Sequence, residues 1–97
     1  MGTMASDVLG SSGEFQVILN PGAAADVDFR ITYPGWTGSR PRRLTREILF
    51  VGGALEVEME NGTNVILPAT MAGIPLRLAC ARLIVAGTAC TSVLICW

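Results

Sequence analysis

Histidine and lysine are absent from the chain, and aromatic residues supply only 6% of it. Without histidine there can be no Ser-His-Asp or Cys-His nucleophile arrangement and no histidine-based metal site. Without lysine there is no Schiff-base chemistry. Charge is scarce too, at 15% of residues against a usual share of about 25%. The formal net charge is −1, so the basic surplus that neutralises nucleic-acid phosphates is missing. Residues 1–13 lack the basic and apolar regions of a secretory signal. The tail 83–97 is uncharged for 15 residues but is interrupted by Gly87, Thr88, Thr91 and Ser92. A spanning helix needs roughly 17–20 apolar residues, so the tail reads as two strands and a turn. Neither nucleic acid, membrane nor cofactor is expected as a partner.

What remains is strongly apolar: 51% of the 97 residues are hydrophobic. A domain of this size buries only about 60–65% of its unfolded surface, so the apolar supply exceeds one small core. Burial between identical subunits is the simplest outlet, and a homo-oligomer is expected. The three cysteines, Cys80, Cys90 and Cys96, are odd in number and lie in apolar surroundings without CxxC spacing. They read as free, reduced core thiols of a protein assembled in the cytoplasm, not as metal ligands. Met1-Gly2-Thr3-Met4-Ala5-Ser6 matches the myristoylation pattern, but Met4 serves equally as a start, and lipidation is not expected. Asn61-Gly62-Thr63 matches a glycosylation sequon and is read as a tight turn.

The pattern along the chain predicts an all-β fold, a small sandwich or barrel of about seven short antiparallel strands with a flexible N-terminal arm. Residues 1–13, rich in Gly and Ser, form the arm, and 14–97 the β-domain. Strands are expected at 14–19, 26–33, 47–51, 55–60, 63–67, 76–85 and 91–97, separated by Gly, Pro and Asn turns. Leu55, Val57 and Met59 alternate with Glu56, Glu58 and Glu60, which gives one apolar and one acidic face. A loop of Glu60-Asn61-Gly62 with Gly62 left-handed sets Leu55 opposite Leu67 and Val57 opposite Val65, and keeps the glutamates outside. Arg77 and Arg82 are out of phase on one strand, so a bulge is expected at Ala79-Cys80-Ala81. Gly52-Gly53 marks a sharp turn where a Cβ would clash. In the last strand Val93, Leu94, Ile95 and Trp97 make both faces apolar, which predicts cover on both sides, with these four at the oligomer interface.

Two further groups invite a functional reading. The pairs Glu56/Glu58 and Asp26/Asp28 have the spacing of a calcium site or of an inverting glycosidase, although alternating charge is also how a half-buried strand keeps its outer face wet. The segment Tyr33-Pro34-Gly35-Trp36-Thr37-Gly38 sets two aromatics among turn-formers and leads into Arg40, Arg42, Arg43 and Arg46. All seven basic residues are arginine, suited to fixed contacts with acidic side chains. Trp36 as a plug for the end of the fold or for an intersubunit seam is preferred to a glycan stacked on the two rings, and Tyr33, Trp36, Arg40, Arg42, Arg43 and Arg46 are the expected partner-binding residues.

Leu49-Phe50-Val51-Gly52-Gly53-Ala54, Val57, Gly62, Val65, Ala72-Gly73-Ile74-Pro75-Leu76-Arg77, Arg82 and Ala86-Gly87-Thr88 together resemble the small spike-base proteins of tailed phages and gene-transfer agents. The resemblance covers about half the chain and consists mainly of turn glycines and strand positions. It implies a non-enzymatic virion protein, assembled in the host cytoplasm, that oligomerises and anchors a spike or fibre, or decorates the capsid, of a phage-like particle. Other virion proteins would be its partners. The alternatives are a carbohydrate-binding module using Tyr33 and Trp36, and a hydrolase using paired carboxylates.

Overall fold

Short β-prone runs cut by turn residues leave little room for helix, and the computed structural model follows that pattern over residues 14–23, 25–33, 36, 38–39 and 42–97. The arm expected over 1–13 lies outside the described residues. Seven strands form: β1 (Phe15–Leu19), β2 (Val27–Asp28), β3 (Glu47–Val51), β4 (Leu55–Met59), β5 (Asn64–Leu67), β6 (Cys80–Ile84) and β7 (Ser92–Cys96). A single turn of helix, α1 (Phe29–Thr32), follows β2. The strands make two antiparallel sheets, ordered β1-β7-β3 and β2-β6-β4-β5. Between them lies one core, with Ile48, Phe50, Val93 and Ile95 from the first sheet and Leu55, Val57, Leu67 and Leu83 from the second. The expected small all-β sandwich is the observed architecture.

The central hairpin has the expected register, with Leu55 opposite Leu67, Glu56 opposite Ile66, Val57 opposite Val65 and Glu58 opposite Asn64. Its turn closes with the Gly62 N–H donating to the Met59 carbonyl at 3.0 Å and with φ +88° at Gly62. The bulge is also present. Arg82 opposes Glu58 while Cys80 opposes Met59, so Ala81 is the additional residue. This aims Arg82 at the outer face, where its Nε lies 3.0 Å from Glu58 Oε1.

Two elements differ from expectation. Over 26–33 the strand stops after two residues, because the Asp28 carboxylate accepts the Arg30 N–H at 3.0 Å and caps a helical turn. Phe29 and Tyr33, four apart on that turn, both enter the core. Over 76–85 the strand begins only at Cys80; Leu76 instead bridges Ile48 on β3. Thr45 fastens the intervening stretch, its hydroxyl donating to the Leu78 carbonyl at 2.6 Å and accepting the Cys80 N–H at 2.9 Å.

Trp97 closes one end of the sandwich. It is fully buried, its indole N–H donates to the Phe29 carbonyl at 2.7 Å, and its ring lies edge-on to Phe29 with centroids 6.3 Å apart. At the other end Gly53, with φ +152°, passes so close to the 89–90 backbone that a Cβ would sit 2.6 Å from the Ala89 carbonyl oxygen.

Two stability measurements by urea denaturation check this account. Trp97→Phe should cost about 1–3 kcal/mol by removing the buried indole donor to the Phe29 carbonyl and part of a fully buried ring. Gly53→Ala should cost about 3 kcal/mol through strain and overlap together, whereas Gly62→Ala, with open space around it, should cost about 1–2 kcal/mol.

Candidate assembly surface

Strand pairing fixes which side chains share the outer face of the first sheet. Phe15, Cys96 and Glu47 form one cross-strand row; Val17, Leu94 and Leu49 form the next; Leu19, Ser92 and Val51 form the third. The inner rows are Gln16, Ile95 and Ile48, then Ile18, Val93 and Phe50. The outer face therefore carries six large apolar side chains and a single charge, at its corner. Phe15, Val17, Leu19 and Val51 are 37%, 53%, 71% and 42% exposed.

The outer face of the second sheet is the opposite in character. Arg82 bridges Glu58 and Asp26, and the Asp26 carboxylate also accepts the Val85 N–H at 2.8 Å. Asp28 and Arg30 form a two-pronged pair at 2.9 Å on each prong, which holds the Asp28 carboxyl below its ordinary range. Of the four acidic residues singled out in the sequence, Asp26, Asp28 and Glu58 are thus engaged with arginines or main chain. Among the described residues no group of three or more acidic, histidine or cysteine side chains could hold a metal ion.

Three of the four residues expected at the oligomer interface belong to the chain's own core. Val93, Ile95 and Trp97 are at most 1% exposed. Odd-numbered β7 residues point into the sandwich, so the second sheet of the same chain covers them. Leu94 alone faces outward, half-buried between Val17 and Leu49. The residues that complete the face, Phe15, Val17, Leu19, Leu49 and Val51, were not singled out from the sequence. Their signal was period-two apolarity on both sides of β1 and β3.

The expected partner-binding loop is similarly divided. Tyr33 is buried, with Trp97 on one side (centroids 5.9 Å apart) and the Arg43 guanidinium 5.0 Å above its ring. This corrects its assignment to a partner surface, because the core and Arg43 occupy its faces. Arg43 also pairs with Glu14, so it fastens the start of β1 to this loop. Trp36 is half-buried against the core, and its N–H donates to the Tyr33 carbonyl at 3.1 Å. Arg42 and Arg46 lie at the surface. Arg40 falls outside the described residues.

All three cysteines are free and buried. Burial pushes each thiol up, Cys80 to about 11. No helix among the described residues is long and apolar enough to cross a membrane. Comparison with protein-family models, with curated proteins and with solved structures finds no match.

The thiol environment generates a pH prediction. An unfolded thiol ionises near 9.0, while folded Cys80 keeps its proton to about 11. The contribution of Cys80 is therefore complete below pH 9 and is lost as pH rises through that interval. Urea midpoints measured from pH 8 to 11 should fall, and should fall less steeply in Cys80→Ala. At the acid end the depressed Asp28 carboxyl works in the reverse sense, and stability is lost as pH drops below the ordinary 3.8.

Proposed function

We propose that the chain is a non-enzymatic structural subunit that oligomerises through the outer face of the β1-β7-β3 sheet. In the setting implied by its resemblance to spike-base proteins, it anchors a spike or fibre on a phage-like particle, or decorates the capsid, after assembly in the host cytoplasm. The observation that carries this reading is the concentration of exposed apolar side chains on one sheet face, while the charges are gathered on the other. Soluble monomers seldom leave such a face in water. Arg42 and Arg46, at the surface beside this body, suit contacts with acidic side chains of a neighbouring virion protein.

The magnitudes favour a multiply contacted subunit over an isolated dimer. Covering a half-exposed Val, Leu or Phe side chain contributes roughly 1 kcal/mol, so the six together supply about 6 kcal/mol per copy. Association costs an estimated 4–15 kcal/mol. One such contact is therefore weak, and several around a ring or on a particle are cooperative. The carbohydrate-binding alternative needs two open aromatic rings, and Tyr33 is in the core.

Light scattering on the full chain tests this reading. The mass should rise above 10.2 kDa with concentration in the micromolar range, and Leu94→Lys should reduce that rise without unfolding. A wild-type protein that stays monomeric at every concentration would contradict the proposal.

A further inference from the structure

The first sheet has an open edge as well as an apolar face. β1 is its end strand. The Trp97 N–H donates to the Glu14 carbonyl at 2.9 Å and the Asn20 N–H to the Thr91 carbonyl at 2.8 Å. Main-chain groups in an antiparallel strand alternate in direction, so residues 14, 16, 18 and 20 turn theirs to β7. Phe15, Val17 and Leu19 turn theirs outward, and among the described residues no strand pairs with them there.

The remaining edges are poorer templates. The free side of β3 is covered, since Ile48 exchanges two hydrogen bonds of 2.8 Å with Leu76 and the Phe50 carbonyl accepts the Gly73 N–H at 2.8 Å. β2 has two residues. β5 is four residues long and runs into Pro68, which has no N–H to offer. β1 carries no charge, no proline and no break in its five-residue register with β7. It therefore lacks the features by which edge strands avoid pairing.

We propose that β1 pairs antiparallel with β1 of a second copy about a two-fold axis at Val17, fusing two three-stranded sheets into one of six strands. The inference rests on the assembly reading above and adds the mode of contact. In this register Val17 opposes its own copy and Phe15 opposes Leu19, so the residues facing each other are those whose main-chain groups point outward. Their side chains continue the apolar outer face without interruption. Glu14, already paired with Arg43, comes opposite Asn20, so no like charges meet.

Gln16 supplies an independent observation. Its Oε1 is buried and is the one such side-chain atom among the described residues without a hydrogen-bond partner. Unsatisfied buried acceptors are costly. In the two-fold register Gln16 opposes Ile18, which makes the two Gln16 side chains diagonal neighbours, about 7 Å apart and within reach of long side chains. Swung out to the new seam, each amide can donate to the other's oxygen, which a single chain leaves without a partner.

The contact is small. A five-residue edge is about 17 Å long, and with a strand's thickness of about 10 Å it presents roughly 170 Å² per copy, against about 800 Å² in a stable standard interface. Main-chain hydrogen bonds supply its affinity, and the pair is a concentration-dependent building unit stabilised further when the outer face is covered.

Oxidation with diamide of single-cysteine additions in the full chain carrying Cys96→Ala, which removes the thiol opposite residue 15 on the same face, tests the register, Cys80 and Cys90 being buried. Val17→Cys should crosslink into a covalent dimer. Phe15→Cys and Leu19→Cys should crosslink at least about tenfold more slowly, because their symmetry mates lie about 13 Å apart, beyond disulfide reach. Val17→Lys, which sets two ammoniums face to face, should weaken dimerisation by about tenfold or more. Equal crosslinking at the three positions overturns the proposal. So does a Val17→Cys thiol that neither crosslinks nor reacts with maleimide, which would mean that something other than a second β1 covers the edge. If Leu94→Lys reduces association while Val17→Cys fails to crosslink, the edge pairing falls and the face-mediated assembly stands. If the wild type is monomeric throughout, both fall.

Discussion

The indole of Trp97 holds together the parts of this small sandwich that strand pairing alone does not reach. Its Nε1–H donates to the carbonyl of Phe29 at the start of the single helical turn. Its ring contacts Phe29 and Tyr33, and its own N–H donates to Glu14 at the entrance to β1. Tyr33 in turn carries Arg43, and Arg43 returns to Glu14. The connection between the sheets, the loop that follows it and the first edge strand are thus joined through one side chain. The position of β1, and so the composition of the outer face, depends on that junction.

Charge distribution follows from the same arrangement. With few ionisable residues available, the chain places Asp26, Asp28, Arg30, Glu58 and Arg82 on and beside the outer face of the second sheet, where they pair among themselves. Exposed ion pairs contribute little stability, about 0–1 kcal/mol each. Their effect is to keep the β2-β6-β4 part of that face wet, while Ile66 on β5 is an exposed apolar residue at its edge. The first sheet receives no comparable set.

Local features were legible in the sequence wherever a side-chain period and a turn residue agreed. Alternation of apolar residues with glutamate over 55–60, ended by Asn61-Gly62, left one acceptable register. The phase conflict between Arg77 and Arg82 pointed to a bulge within Ala79-Cys80-Ala81, and the register shift falls at Ala81, although Arg77 itself precedes β6. Helix α1 was not legible, because four residues have no measurable period and its existence depends on the Asp28 cap and on Phe29 and Tyr33 reaching Trp97. Val93, Ile95 and Trp97 were assigned to an interface for a related reason. Apolarity on both faces of 93–97 reports that both sides are covered but not by whom, and only the order β1-β7-β3 distinguishes Leu94, which faces outward, from Val93 and Ile95, which face the chain's own second sheet. Tyr33 beside Trp36 admitted both a plug and a platform, because proximity in sequence does not reveal that the Tyr33 ring turns inward.

The layout of the outer face argues for a partner more strongly than its apolar content does. Isolated exposed apolar residues are ordinary on any protein surface. Here the row Val17, Leu94 and Leu49 lies at the centre, while the polar side chains Glu47 and Ser92 lie in the flanking rows. An apolar centre with polar groups toward its margin is how protein interfaces are organised. The acidic alternation of β4 shows that this chain can place a charge at every second residue of a strand, yet β1 and β7 carry none and β3 carries one, at its first position. The absence of such charges from the centre of one face, in a chain that uses them on the other, is what selection for burial between subunits would leave.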